Sequence, residues 1–258
     1  MMYLKLLNPI KLFRLLSLFI KTNFDFLINE FLDRKFYNIN YLVEHLFKFD
    51  EEIYEKYKKN SVAEHQVGRI INMRNLIEKN KNEITGDLLE LGVFQGYSLI
   101  YFDKFLDKEK KLIGIDTFEG LPYTSSDVSE WVKGEFNNTS MNRVANNLKK
   151  FDCRNVSLLK GEFANKNIKP ELMKLSKHIS IVHFDCDLNG SAYDGLELIK
   201  DYLEQKKTMF ILFDDWGVHQ NEIPDAFYKW VDENQSRMKF KLEKLYTTHN
   251  TRYYKLSF

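Results

Sequence analysis

Glycine and proline are scarce in this chain, at eleven and four of 258 residues. So few turn-formers leave little room for a flexible linker, and the length suits one large domain or a domain with a sizeable appendage. Cysteine is rarer still. Cys153 and Cys186 have no CxxC spacing, which argues against a disulfide framework and makes a reducing, cytoplasmic setting the default. The six histidines form neither HxxxH nor a paired Cys/His pattern, so a zinc site has no support. There is no GxSxG elbow and no Walker loop. Neither sign of charge dominates: 38 basic against 37 acidic residues leave a formal net charge of +1, which gives no reason to expect nucleic acid as a partner. What remains, 44% hydrophobic and 29% charged, is ordinary for a soluble globular protein.

Residues 1–33 hold apolar runs that are too short to span a bilayer. Between Ile10 and Lys21 the polar positions Lys11, Arg14, Ser17 and Lys21 recur three or four apart. On a helix they form a narrow basic stripe beside a wide apolar face. Charges interrupt the apolar region and no small-residue cleavage site follows, which argues against a signal peptide. Two readings stay open. The helix packs on the following domain or on a second subunit of a homodimer, or it lies in the membrane interface with its lysines toward anionic headgroups on the inner face. The helical, charged pattern continues through "HLFKFDEEIYEKYKKN" and "VGRIINMRNLIEKN". Residues 1–80 thus read as a helical extension and residues 81–258 as the main domain.

From Gly86 the pattern changes. Short apolar runs, "DLLELG", "KLIGID", "NVSLLKG", "HISIVHFD" and "MFILFDD", alternate with longer amphipathic segments such as "GSAYDGLELIKDYLEQ". Such runs suit central strands of a parallel sheet covered by helices on both faces. The predicted fold is α/β, a Rossmann-like, doubly wound, mostly parallel sheet behind an N-terminal helical extension.

The acids fall in a pattern. Asp116, Asp185, Asp214 and Asp215 all close predicted strands, and Glu90 lies near the end of the first. That edge is the ligand crevice of an open α/β sheet. One such acid is often only a turn or helix cap; several on one edge point to a bound cation. Asp185, Asp214 and Asp215 supply oxygen ligands alone, which suit a hard ion such as Mg²⁺, with Mn²⁺ or Ca²⁺ as substitutes. The bland alternative has Asp214 capping the next helix and Asp215 solvated.

After the first strand comes Glu90-Leu91-Gly92-Val93-Phe94-Gln95-Gly96. Phe94 stands where a dinucleotide fold needs a glycine for backbone to approach pyrophosphate. A side chain there argues against NAD and FAD and is compatible with S-adenosylmethionine, which brings no phosphate. Asp116 is placed to accept hydrogen bonds from ribose hydroxyls.

With "LLELGVFQGYSL" at 88–99, "IGIDTFEGLP" at 113–122, "VHFDCDLNGSAYDGLELI" at 182–199 and "FDDWG" at 213–217, the chain resembles the class I S-adenosylmethionine-dependent methyltransferases. More narrowly, it resembles the macrocin O-methyltransferase (TylF-type) family of sugar O-methyltransferases. The resemblance runs from about Gly86 to the end. It implies that Glu90, Gly92 and Gly96, with Tyr97 and Ser98, line the methionine moiety, that Asp116 and Thr117 hold the ribose, and that Gly161, Glu162 and Phe163 lie near the adenine. Asp185 would also border the cofactor, and Asp185, Asp214 and Asp215 would match the family's metal ligands. Asn189 departs from the aromatic that relatives carry after their DxDL motif, and "TFEGLP" through "SEWVKGEF" would form part of the acceptor site or a lid.

The expected reaction is methyl transfer to a hydroxyl of a sugar or nucleotide sugar, for a surface polysaccharide or a secondary metabolite. Asp185 is the candidate ligand and base, with Asp187 as the alternative base and His219 as a possible acceptor contact. His183 reads as a satisfied core histidine and Cys186 as packing, while Trp131 and Trp216 read as core residues that could instead stack on a sugar. Competing readings are a catechol-like O-methyltransferase acting on a phenol, an NAD-dependent sugar oxidoreductase and a non-catalytic subunit that kept the fold.

Overall fold

A computed structural model describes residues 69, 72–125, 131–216, 222–247 and 251–258. Residues 69–258 form a compact unit. The stretch 1–33, Gly217 and His219 lie outside the described residues. No helix among the described residues is long and apolar enough to cross a membrane.

Helical residues 72–79 lead into β1 (Asp87–Leu91), α1 (Tyr97–Phe105), β2 (Leu112–Asp116), α2 (Met141–Lys150) and β3 (Val156–Lys160). Then follow α3 (Ile168–Leu175), β4 (Ile179–Phe184), α4 (Asn189–Leu203), β5 (Met209–Phe213) and α5 (Glu222–Met238), and β6 (Lys241–Thr247) and β7 (Arg252–Ser257) close the unit. The sheet order is β3-β2-β1-β4-β5-β7-β6. The first five strands in space are parallel; β7 runs antiparallel between β5 and β6. This is the expected doubly wound architecture.

Burial follows the apolar runs. Every residue of β4 and β5 is buried, as two covered faces demand. Amphipathic segments became helices that show the sheet one stripe: α2 buries only Val144 and Leu148, and the Ser140 side chain accepts from Arg143 N–H at its start. In the core, Phe213 stacks tilted or edge-on against Phe184, Trp216, Phe227 and Tyr254, and the buried Trp230 donates from Nε1 to Glu197 Oε1 at 2.8 Å. Strand order reverses between β1 and β4, so the switch-point crevice opens above their carboxyl ends.

Candidate active site

The loop after β1 is built around a close approach. Gly92 has φ +90°, and a Cβ there would collide with the carbonyl oxygen of Asp185 and lie 2.7 Å from its carbonyl carbon. Only glycine lets the end of β1 press on the end of β4. The Asp116 carboxylate then clamps the loop. Its Oδ2 accepts from Val93 N–H at 2.7 Å and Phe94 N–H at 2.8 Å, and its Oδ1 accepts from Phe118 N–H at 2.6 Å. Phe94 sits in the left-handed region at φ 48°. The Val93 and Phe94 N–H groups are therefore already bound to Asp116.

The other residues expected at the cofactor gather on the same edge. Gly161 N–H donates to Asp116 O at 2.9 Å, which ties the turn after β3 to the end of β2. Glu162 is exposed there and Phe163 half-buried. Thr117 Oγ1 donates to Gly120 O at 2.8 Å. Tyr97, half-buried, and Ser98, buried, open α1, whose N-cap Gly96 brings no side-chain cap and whose first turn carries no acid. Glu90 lies deeper. It is fully buried opposite His183 across the β1–β4 pairing, with Oε1 2.9 Å from His183 Nδ1. Burial works against a charged His183 ring, but the Glu90 carboxylate, together with Asp185 and Asp214, outweighs it and raises the pKa above the ordinary histidine value. His183 is thus a core histidine with a partner, and Glu90 forms the floor beneath the loop.

Asp185, Asp214 and Asp215 converge beyond the ends of β4 and β5, each offering an oxygen within 4.8 Å of the others. Asp214 is 2% exposed, and its Oδ1 has no hydrogen-bond partner among the described residues. Burial, then the Asp214 charge, pushes Asp185 and Asp215 well above the usual carboxylate range. Burial and the Asp185 charge push Asp187 up to about 7, while a hydrogen bond from Asp215 pulls the other way. These shifts follow from burying several carboxylates side by side. Asp187 and Asp215 also hold left-handed backbones, φ 61° and 54°. Such strain costs about 1–3 kcal/mol per residue and gathers at functional sites.

Two features escaped the sequence reading. Arg69, preceding the helical residues 72–79, reaches into the acids: its Nη1 pairs with Asp214 Oδ2 and stands 3.6 Å from Asp185 Oδ2. Its side chain is 12% exposed. A lone arginine between Val67 and Ile70 in an otherwise apolar stretch was the available signal. The second is a latch on the segment expected as lid. Leu121, Trp131 and Leu188 form a small apolar cluster. Buried Glu222 accepts from Ser125 Oγ and, at 2.6 Å, from Asn189 N–H, while Asn189 Nδ2 donates to Glu222 O at 2.8 Å. The Tyr123 hydroxyl accepts from Ser191 N–H at 3.1 Å. Asn189 therefore serves the latch. Trp131 and Trp216, 8% and 6% exposed, are core residues. Cys186 is buried with its thiol pKa pushed well up by burial and nearby aspartates, consistent with packing.

The strand order and the glycine-bearing loop at the switch point define a class I methyltransferase fold. The family model described as "Macrocin-O-methyltransferase (TylF)" matches residues 3–242, so the chain belongs to that family and is an S-adenosylmethionine-dependent O-methyltransferase. No protein of curated function matches the sequence. Among solved structures, the O-methyltransferase NovP is similar at 19% identity and TM-score 0.57, over 74% of this chain and 81% of that one. The calicheamicin methyltransferase CalS11 is similar at 17% identity and TM-score 0.58, over 85% and 91%. An apo structure of CalS11, described as TDP-rhamnose 3'-O-methyltransferase, has 16% identity and TM-score 0.52 over 87% and 93%. At these identities the likeness is one of fold.

Proposed function

We propose that the protein methylates a hydroxyl of a sugar, carried on a nucleotide or destined for a glycan, using a divalent cation held by Asp185, Asp214 and Asp215. The observation that carries this reading is the convergence of these three carboxylates directly beside the Gly92 loop. The family and the TDP-rhamnose acceptor named for CalS11 support a sugar.

The residues fit both groups. For the cation, the donors are all oxygens, and Asp214 Oδ1 is buried without a partner, so a hard ion such as Mg²⁺ or Mn²⁺ suits them. For S-adenosylmethionine, the acid-free, uncapped start of α1 faces the crevice edge and suits the methionine carboxylate. Gly92 and Gly96 give backbone access on one side of that carboxylate. Asp116, whose Oδ1 takes one loop N–H and keeps a second lone-pair direction while Oδ2 already accepts two, serves the ribose. Gly161, Glu162 and Phe163 border the adenine.

Bound S-adenosylmethionine supplies an electrophilic methyl on sulfur, and the bound cation supplies Lewis acidity that makes a hydroxyl a better nucleophile. The chain aligns the two substrates for in-line displacement. Asp185, joined through its backbone to the Gly92 loop, sets the distance between cofactor and acceptor. Asp185, or Asp187, which hydrogen-bonds Asp215 in the same cluster, takes the hydroxyl proton. The latched segment around Tyr123 walls the acceptor side.

The test is a panel of nucleotide sugars scanned by mass spectrometry for a methyl increment. Transfer should vanish with EDTA and return with Mg²⁺ or Mn²⁺. Transfer indifferent to chelator would remove the cation, and transfer to catechols alone would remove the sugar.

A further inference from the structure

The Arg69 guanidinium is the one cationic group that an ion pair joins to the acid trio among the described residues. Its position is specific. Nη1 pairs with Asp214 Oδ2 and stands 3.6 Å from Asp185 Oδ2, so it joins acids contributed by two adjacent strands. A divalent cation ligated by Asp185 and Asp214 would bridge the same two side chains. A guanidinium nitrogen and a metal ion cannot both sit in the line between two carboxylates whose ligand oxygens lie within 4.8 Å.

Charge strengthens the conflict. Asp185, Asp214 and Asp215 carry up to three negative charges in a largely buried place, and an unpaired buried charge is strongly destabilising. Arg69 relieves this, and its side chain is secluded enough that solvent does little to screen the pairing. The same seclusion makes two cations at one pair of oxygens strongly repulsive. Asp214 Oδ1, without a partner among the described residues, remains as the oxygen at which an incoming cation first gains a hold.

From this geometry we infer that Arg69 and the divalent cation are alternative occupants of one position, so that metal binding requires the guanidinium to leave Asp214 and Asp185. Arg69 is then a positioning residue that keeps the trio converged and sets the site's cation affinity. It also couples occupancy to the chain entering helical residues 72–79, whose Met73, Leu76 and Ile77 are anchored in the core. The inference rests on the cation site proposed above.

The experiment is a calorimetric Mn²⁺ titration of the full chain as wild type, Arg69→Met and Arg69→Lys, with melting temperatures measured with and without Mn²⁺. Arg69→Met keeps an apolar stem and removes the competing charge. It should bind Mn²⁺ at least about tenfold more tightly than wild type, while melting lower without the ion and gaining more from it. Arg69→Lys, which keeps the charge without the planar fork, should fall between. Equal or weaker binding by Arg69→Met overturns the exchange and leaves the cation site standing. Binding by none of the three proteins overturns the cation site and the exchange together. Should Arg69→Met fail to fold, Arg69→Lys decides, because tighter binding than wild type supports the exchange and unchanged or weaker binding rejects it.

Discussion

Replacing Gly92 with alanine asks whether the cofactor loop and the acid-bearing strand truly touch. The new Cβ would meet the Asp185 carbonyl oxygen and lie 2.7 Å from the carbonyl carbon. Both are backbone atoms of a parallel sheet buried on two faces, so neither can swing aside as a side-chain tip could. The left-handed backbone costs an L residue about 1–2 kcal/mol, and overpacking against fixed atoms adds about 1–3 kcal/mol. The expected loss is therefore about 2–5 kcal/mol, a fall in Tm of roughly 5–15 °C for a unit of this size. Gly134 separates the two effects: it has φ +86°, yet its nearest neighbour, Asn137 Nδ2, would lie 4.0 Å from a Cβ. Gly134→Ala should lose only the backbone component, about 1–2 kcal/mol. Urea unfolding followed by circular dichroism measures both variants. Cofactor affinity should drop for Gly92→Ala and hold for Gly134→Ala. If Gly92→Ala loses no more stability than Gly134→Ala, the close approach of β1 and β4 is wrong, and so is the joining of the two substrate sites through it.

Four further outcomes follow from the same structure. Asp187→Asn should lower turnover by about 10²–10⁴-fold with S-adenosylmethionine affinity, read by calorimetry, almost unchanged; a mild loss of turnover would take the base role from Asp187. Glu222→Ala should cost about 1–3 kcal/mol because Ser125 and Asn189 lose their acceptor, and it should raise the acceptor KM, whereas Glu222→Gln should recover part of both. Trp230→Ala, at a fully buried site that also satisfies Glu197, should destabilise by about 3–5 kcal/mol in denaturant titration. Cys186 is buried and should react with iodoacetamide at neutral pH only as fast as the protein unfolds, while half-buried Cys153, its thiol pKa raised to about 12 by burial, should react more slowly than a free thiol.

Much of the fold was legible because a parallel sheet writes itself into sequence as short apolar runs. "HISIVHFD" and "MFILFDD" became β4 and β5 within a residue or two at each end. The antiparallel pair β6 and β7 left a weaker trace. Lys241, Glu243 and Lys244 interrupt the first strand, and charged edge residues of that kind do not stand out from a helix or a loop. The acids at strand ends were legible for the same reason as the strands, since each follows an apolar run directly. Arg69 was not. Its partners lie over a hundred residues away, and no local pattern records a contact made only when the sheet assembles. The Glu90–His183 pair depends on strand register in the same way: the two residues face each other only once β1 lies beside β4. The Glu222 latch joins the ends of three separate segments, so only the assembled fold reveals it.

The account's central claim is that Asp185, Asp214 and Asp215 share one cation next to the methyl donor. A crystal grown with Mn²⁺ and S-adenosylhomocysteine, measured for anomalous scattering, tests it most directly. The account predicts a single strong peak within about 2.0–2.6 Å of an oxygen from each of the three aspartates. A map with no peak among them, their carboxylates still gathered around Arg69 at saturating Mn²⁺, would contradict it.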